Sequence, residues 1–280
     1  MRLATIRIPG GTAAVRIDGN DAVEIDGEDV GALLRHPDWS SRAAAADGLR
    51  HALDSVDYAP LVTRPEKIIC VGLNYRSHIL EMGRDIPEYP TLFAKYTAAL
   101  VGARDDIILP SVSRMVDWEA ELAVVIGSPI RHATPDEAET AIAGYSVLND
   151  VTVRDWQKRT LQWLQGKTFE ATTPVGPELV TADDPAVATA AGFELRCEVD
   201  GEQTQSANTS DLVFGPAALV AYISDIVTLE PGDVIATGTP GGVGDAQTPP
   251  HYLEDGSVVV TRIEGIGECR NTCRQEPAVR

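Results

Sequence analysis

The stretch Asp117–Ile126, DWEAELAVVI, constrains the fold more than any other part of the chain, because charged and apolar side chains alternate along it. Successive side chains of a β-strand point to opposite faces of the sheet. The pattern predicts a strand with one carboxylate face (Asp117, Glu119 and Glu121) and one apolar face (Trp118, Ala120, Leu122, Val124 and Ile126). The apolar face must pack on a core, so this strand is expected to be central.

Carboxylates that share a strand face repel one another and raise one another's pKa. A bound cation removes that cost, and all-oxygen ligands favour Mg²⁺, Mn²⁺ or Ca²⁺ over zinc. Asp150 ends the apolar strand GYSVLND, where its carboxylate could join Glu119 and Glu121 as a third ligand. The alternatives are an exposed acidic strand face for the glutamates and a turn or helix cap for Asp150.

The segment NYRSHILE, followed by Gly83 as a suitable C-cap, indicates a short helix. His78 and Glu81 would lie three residues apart on one helical face. A carboxylate at that spacing fixes the tautomer of an imidazole and raises its basicity, which makes a general base that activates water. The alternative is an exposed helical pair without a function.

Two further segments suggest a ligand-binding wall. Lys167 follows a glycine, but Leu161 stands where a phosphate-binding loop needs glycine, so Lys167 is interpreted as a single cation that holds a carboxylate or enolate. The segment TGTPGGVG at residues 237–244 permits close backbone approach to anionic oxygens. Neither a dinucleotide fingerprint nor a serine-hydrolase elbow is found in the sequence.

The composition of the chain excludes some classes of binding partner and of cellular location. The 280 residues carry a formal net charge of −19, which argues against nucleic acid and anionic membranes. No apolar run approaches the ~20 residues that span a bilayer, and the start MRLATIRIPGG lacks a signal-peptide pattern. We therefore expect a cytoplasmic protein with reduced, structural thiols at its four cysteines.

The chain divides into a small β-rich N-terminal domain, residues 1–63, and a larger domain, residues 64–280. Asp18-Gly19 and Asp26-Gly27 predict hairpin turns, and helices are expected over 39–53, 154–166 and 215–227. Many strands with few helices between them favour a mixed, β-rich α/β fold over a doubly wound sheet.

Six motifs in order resemble the fumarylacetoacetate hydrolase family over about residues 65–270: VGLNYRSHILE, PTLFAK, DWEAELAVVIG, GYSVLNDVTVRDWQ, GKTFEATTPVGP and PGDVIATGTPGGVG. The resemblance implies a mixed β-sandwich roll that forms a homodimer around Mg²⁺ or Mn²⁺ sites. By position, it implies three metal ligands, Glu119, Glu121 and Asp150. Asp117 belongs to the same motif, but the resemblance implies that it supports the ligands instead of binding the ion directly.

The resemblance also implies roles for other side chains. His78 and Glu81 match a catalytic dyad on a lid, and Lys167 matches a lysine that contacts substrate. The expected substrate contacts are Asn74, Tyr75, Arg154, Gln157 and Thr239. Glu170 departs from the family, which commonly has Asp there, and this puts the shape of the pocket in question.

The activity that the resemblance implies is metal-dependent hydrolysis of the C–C bond of an acylpyruvate such as fumarylpyruvate, releasing pyruvate through an enolate. Oxaloacetate decarboxylation is the first alternative, since it uses the same electron sink. Isomerase, hydratase or dehydratase activity on a 2-oxo acid is another. A non-catalytic cation-binding scaffold is the alternative from a different class, and the presence of His78, Glu81 and Lys167 argues against it.

Overall fold

A computed structural model describes residues 1–81, 83–188 and 192–277. Within these ranges the strands β1 to β18 are, in chain order, Arg2–Ile8, Gly11–Asp18, Asp21–Glu24, Arg50–Ala52, Ile68–Gly72, Thr91–Ala94, Leu100–Val101, Ile107–Leu109, Val116–Asp117, Ala120–Ile126, Ile142–Asn149, Thr152–Val153, Thr173–Thr181, Glu194–Val199, Glu202–Asn208, Val234–Ala236, Val258–Ile263 and Gly267–Gln275. The helices α1 to α8 are Val30–Leu34, Trp39–Ala45, Arg76–Glu81, Pro135–Thr140, Arg154–Gln157, Leu164–Lys167, Pro185–Ala188 and Pro216–Ile226. Short 3₁₀ turns cover Leu53–Ser55, Thr97–Ala99, Thr209–Asp211 and Gly244–Ala246.

Two large sheets organise these strands. The larger has the order β4-β3-β2-β1-β13-β11-β10-β16-β5-β6, with β7 paired to β13, and the smaller has the order β15-β14-β17-β18-β8. The strands β9 and β12 form a separate two-stranded ribbon. The predicted mixed, β-rich fold is confirmed, and β10 is central in the larger sheet, as its alternating pattern indicated.

The N-terminal strands extend the larger sheet. Strand β1 pairs antiparallel with β13, with Arg2 opposite Val180, and the strands β2, β3 and β4 follow outward from β1. The boundary expected at residues 63 and 64 falls in a loop, but no break in the sheet accompanies it. The N-terminal residues therefore belong to the same sheet as the strands that carry the candidate site.

Three apolar clusters surround the larger sheet. Trp118 and Leu122 pack between the two sheets with Leu195 of β14. Val124 and Ile126 pack instead beneath α4 and α8, and a third cluster packs α1 on the sheet. Every residue of β10 is buried, so the side of this strand that carries Glu121 is enclosed rather than exposed to solvent.

Local sequence signals explain several element boundaries. Thr134 caps α4, its side chain accepting from the Glu137 amide while the Glu137 carboxylate accepts from Thr134 in return. Asp200 and Gly201 both have positive φ, 54° and 85°, as a two-residue hairpin turn requires. The turn at Asp18-Gly19 is likewise confirmed, because β2 pairs with β3 across it.

Two predicted helices are longer than the helices in the structure, and one predicted hairpin turn is not a hairpin turn. The helix expected over 39–53 stops at Ala45, and Arg50–Ala52 forms β4, because Asp47-Gly48 interrupts the alanine-rich run. The helix expected over 154–166 is two separate turns, α5 and α6. Asp26-Gly27 leads into α1 instead of joining two paired strands.

The cysteine and membrane expectations can be compared with the described residues. The four cysteines, Cys70, Cys197, Cys269 and Cys273, are free and buried, as predicted. In the part of the chain that the structure describes, none of the helices combines the length and apolar character needed to cross a membrane.

Candidate metal centre and active site

Glu119, Glu121 and Asp150 converge on one point. Each offers a carboxylate oxygen, these oxygens lie within 4.8 Å of one another, and all three side chains are buried. The antiparallel pairing of β10 with β11 brings them together, because Ala120 lies opposite Asn149 and the Asp150 amide donates to the Glu119 carbonyl at 2.8 Å. The two glutamates therefore do not form the exposed acidic face that was the alternative for them.

Three cations neutralise two of these carboxylates. Lys167 Nζ lies 2.6 Å from Glu119 Oε2 and 2.7 Å from Asp150 Oδ2. Lys95 Nζ lies 2.6 Å from Asp150 Oδ1, and Arg154 Nη1 lies 2.7 Å from Glu119 Oε1. Burial opposes the charge of Lys167, but Asp150 and Glu119 outweigh it and raise the pKa of this lysine. Lys167 is therefore a fixed cation and cannot serve as a base near neutral pH.

Glu121 is the carboxylate left without a counter-charge. No residue that the structure describes forms an ion pair with it, and its one hydrogen bond there is from the Gly238 amide at 2.7 Å. Burial, then the charges of Asp150 and Glu119, raise the pKa of Glu121 well above its ordinary value. A hard divalent cation would balance this charge, and three carboxylates form an all-oxygen donor set that suits Mg²⁺ or Mn²⁺. The residues present therefore fit such an ion.

Asp117 lies outside this triad. The chain leaves strand geometry between β9 and β10, so the alternation of faces is interrupted at Trp118. Oδ1 of Asp117 accepts from the amides of Trp118 and Gly244 at 2.8 and 2.7 Å, and Oδ2 accepts from Arg154 Nε at 2.7 Å. Asp117 and Glu119 both pair with Arg154, so the Asp117 carboxylate supports the triad through this arginine and holds the turn at Gly244.

Glu119 of the triad lines a cavity of about 530 Å³. Of the predicted site residues, Glu119, Lys167, His78, Arg154, Gln157 and Thr239 line it. Trp163 forms an apolar part of the wall beside Gly72, where a Cβ atom would overlap the indole ring. Glu170 is exposed and is not among the lining residues, so the departure from the family at this position does not shape the cavity wall directly.

His78 and Glu81 lie on α3, as predicted. Nδ1 of His78 is 4.0 Å from Oε2 of Glu81, beyond hydrogen-bond distance. Among the described residues this nitrogen has no partner, although it is buried. Burial lowers the pKa of His78, with the charges of Glu81 and Glu119 acting in the opposite direction. The imidazole is therefore neutral at neutral pH and has a nitrogen free to accept a proton.

Asn74 and Tyr75 lie behind the cavity wall. Asn74 Nδ2 donates to the carbonyls of Phe214 and Thr237 at 2.9 and 2.8 Å, and Asn74 Oδ1 accepts from the Phe214 amide at 2.8 Å. The preceding Leu73 has a left-handed φ of 57°, which costs energy for a branched residue. The Asn74 side chain holds this turn, and its donors and acceptor are not available to a substrate.

The structure also brings in residues that the sequence reasoning missed. Lys95 ends the motif PTLFAK and is 3% exposed beside Asp150. Gln205 lies 85 residues from the triad strand, accepts from the Ala120 amide at 2.9 Å and donates to Thr239 Oγ1 at 2.8 Å. A lysine directly after an apolar strand was a readable signal for Lys95. No local pattern distinguishes Gln205, because only sheet packing places it.

Comparisons with known proteins agree on a single family. The family described as fumarylacetoacetate (FAA) hydrolase C-terminal matches residues 67–274. Human mitochondrial oxaloacetate tautomerase FAHD2A is 45% identical over 214 residues, 76% of this chain and 68% of that protein. The rat mitochondrial tautomerase Fahd2a is 44% identical over 227 residues, 81% of this chain and 72% of that protein.

Solved structures extend the likeness to nearly the whole chain. The fumarylacetoacetate hydrolase of Exiguobacterium antarcticum superposes with a TM-score of 0.86 at 32% identity, over 99% of this chain and 100% of that one. The 5-carboxymethyl-2-hydroxymuconate delta-isomerase of Mycobacterium smegmatis gives a TM-score of 0.82 at 34% identity, with the same coverage. The resemblance noted in the sequence is confirmed, and the chain belongs to the fumarylacetoacetate hydrolase family of enzymes.

Proposed function

We propose that this protein is a divalent-metal-dependent enzyme that interconverts the keto and enol forms of a 2-oxo acid, with oxaloacetate as its first candidate substrate. The observation that carries the proposal is the buried triad of Glu119, Glu121 and Asp150, whose member Glu119 lines the same cavity as His78. Burial keeps this histidine neutral, and its Nδ1 has no partner among the described residues. The names of the tautomerase relatives at 44–45% identity support the choice of oxaloacetate.

The chain's own groups divide the work of a proton shift. Glu119, Glu121 and Asp150 would hold the ion, which when bound withdraws electrons from the 2-oxo oxygen of the substrate. Lys167 and Arg154 are fixed cations beside Glu119 and favour the negative charge that develops as the C3–H bond breaks. His78 accepts the C3 proton and returns it to the oxygen, so that no atom is gained or lost.

Hydrolysis of an acylpyruvate, which the sequence favoured, is the second candidate. Glu81 favours it, because a carboxylate close to His78 would help that histidine to activate water. The 4.0 Å separation of His78 Nδ1 from Glu81 Oε2 leaves that assistance unmade in this conformation. Tautomerisation needs one proton carrier and no activated water, so the geometry supports it better.

One assay separates the candidates. Decay of the enol form of oxaloacetate is followed by ultraviolet absorbance with Mg²⁺, with Mn²⁺ and with EDTA, while pyruvate is measured in the same samples and in samples of acetylpyruvate. The proposal expects EDTA-sensitive enol decay without pyruvate. Pyruvate from oxaloacetate would indicate a decarboxylase, and pyruvate from acetylpyruvate would indicate a hydrolase. Loss of neither substrate would reject the proposed substrate class.

The homodimer is also a proposal, and light scattering tests it. A particle of twice the chain mass of 29.9 kDa is expected. A particle of the chain mass itself would contradict the proposed assembly. The cytoplasmic location stays a prediction, and the human and rat tautomerases named above are mitochondrial proteins.

A further inference from the structure

Arg84 occupies a defined place at the mouth of the catalytic cavity. Helix α3 ends with Gly83 at φ 66°, the Gly83 amide donating to the Leu80 carbonyl at 2.9 Å and the Arg84 amide to the Ile79 carbonyl at 3.2 Å. This pair of hydrogen bonds is the glycine-terminated helix end known as the Schellman motif. The backbone of Arg84 is therefore fixed, six residues after His78 in the chain.

Arg84 is the one cation of the cavity wall that lacks a protein counter-charge among the residues that the structure describes. Four lysines and arginines line the cavity there: Arg84, Arg154, Lys158 and Lys167. Arg154 pairs with Asp117 and Glu119, Lys167 with Glu119 and Asp150, and Lys158 with Asp245 at 2.7 Å.

The residues that line the cavity differ in exposure, which defines a buried, deep end and an exposed rim. Glu119 and Lys167 are 7% and 2% exposed, whereas Arg84 is exposed to solvent. A 2-oxo acid held at the deep end by its carboxylate and 2-oxo oxygens would direct the rest of its chain toward the rim. The rim wall offers that end of the substrate a guanidinium, which can bind a carboxylate through two parallel hydrogen bonds.

We propose that Arg84 is a specificity-determining residue that binds a second, distal carboxylate, so that the enzyme prefers dicarboxylic over monocarboxylic 2-oxo acids. The proposal rests on the proposed function, because it places the first carboxylate and the 2-oxo group at the triad. Oxaloacetate meets the requirement. Its matched monocarboxylic analogue is 2-oxobutyrate, in which a methyl group replaces the distal carboxylate and the C3 protons remain exchangeable.

The test compares both compounds on wild type, Arg84→Gln and Arg84→Lys, all loaded with Mg²⁺. Exchange of C3 protons for deuterium gives kcat and KM by NMR, and calorimetry gives Kd. Arg84→Gln is expected to raise KM and Kd for oxaloacetate by about tenfold or more, the size of a lost charged hydrogen bond. Both constants for 2-oxobutyrate should stay unchanged, and Arg84→Lys should recover part of the loss. Arg196→Gln is the matched control, since Arg196 is an exposed arginine on β14 outside the cavity.

The possible outcomes separate this proposal from the function it rests on. Equal losses for both compounds in Arg84→Gln, or the same loss in Arg196→Gln, would overturn the role of Arg84 while leaving tautomerisation intact. Wild type that exchanges neither compound would reject the proposed function. In that case the Kd values from calorimetry still test the role of Arg84. Wild type that binds oxaloacetate no more tightly than 2-oxobutyrate would overturn this role.

Discussion

Nδ1 of His78 and Oε2 of Glu81 are separated by 4.0 Å, so the two side chains of the predicted dyad are neighbours without a hydrogen bond. Gly241 lies against both, since a Cβ atom there would be 3.1 Å from His78 Nδ1 and 3.3 Å from Glu81 Oε2. The imidazole thus lies in a confined space, and any side chain at position 241 would crowd it. Under the proposed function, His78 is the proton carrier and Glu81 is an auxiliary group.

Replacing His78 should therefore cost more than replacing Glu81. His78→Ala is expected to lower kcat for oxaloacetate tautomerisation by about 10²–10⁴-fold, the usual contribution of a general base. Glu81→Gln should lower it less, because no hydrogen bond to His78 is lost. Steady-state kinetics on both variants checks this order, and a larger loss in Glu81→Gln would show that the dyad acts as one unit.

The pH dependence should follow the neutral form of His78. Burial lowers the pKa of this imidazole below its ordinary 6.5, so the base stays unprotonated at neutral pH. Activity is expected to be constant near pH 7 and to fall as the pH drops through the lowered pKa. A kcat/KM profile on wild type measures this limb, and an acidic limb centred above pH 6.5 would contradict the assignment.

Glu121→Gln should make the metal-free protein more stable. The folded-state pKa of Glu121 is raised, so its charged form opposes folding increasingly as the pH rises from the unfolded value of 4.5 through the folded one. At neutral pH, replacing this carboxyl with a neutral amide is expected to increase the free energy of unfolding by about 1 kcal/mol or more, because the unfolded state then no longer gains stability by losing the Glu121 proton. Denaturant unfolding with EDTA checks the increase, and a decrease would mean that a counter-charge already satisfies Glu121.

Asp117→Asn should show whether Asp117 supports the fold around Arg154 or binds the metal ion itself. The substitution removes the charge that faces Arg154 and weakens the acceptor of the Gly244 amide, at a cost of about 3 kcal/mol in the free energy of unfolding. Mn²⁺ affinity should change little, because Asp117 lies outside the triad. Chemical denaturation and calorimetry on the folded variant check both parts. A loss of Mn²⁺ affinity as large as that of Glu121→Gln would make Asp117 a ligand.

The sequence predicted the site better than it predicted the boundaries of the elements. Glu119, Glu121 and Asp150 could be found because they lie on or beside two strands with long apolar patterns, and antiparallel pairing then brings them together. The role of Asp117 could not be assigned, since nothing in the local pattern shows that its carboxylate accepts from the distant Gly244 amide and from Arg154. The helix after Trp39 was overextended because alanine favours a helix locally, whereas β4 is held by pairing with the distant β3.

Contacts between distant segments could not be predicted either, because they depend on tertiary packing and not on a local pattern. The side chain of Asn74 looked like a substrate ligand beside His78, yet its partners Phe214 and Thr237 lie at least 140 residues away. Arg84 is the opposite case, a residue that the sequence did not mark and that the structure leaves available to a ligand. It follows a predicted C-cap glycine, but only the folded cavity reveals that Arg154, Lys158 and Lys167 have partners and Arg84 has none among the described residues.

The most direct test of the account is a calorimetric titration of Mn²⁺ into EDTA-treated protein, with and without oxalate as a stand-in for the chelating end of a 2-oxo acid. The account predicts one ion per chain, tighter binding with oxalate, and an affinity at least about tenfold lower in Glu121→Gln, since one of three anionic ligands is lost. Equal Mn²⁺ affinity in wild type and Glu121→Gln would contradict the assignment of the metal centre, and with it the proposed chemistry.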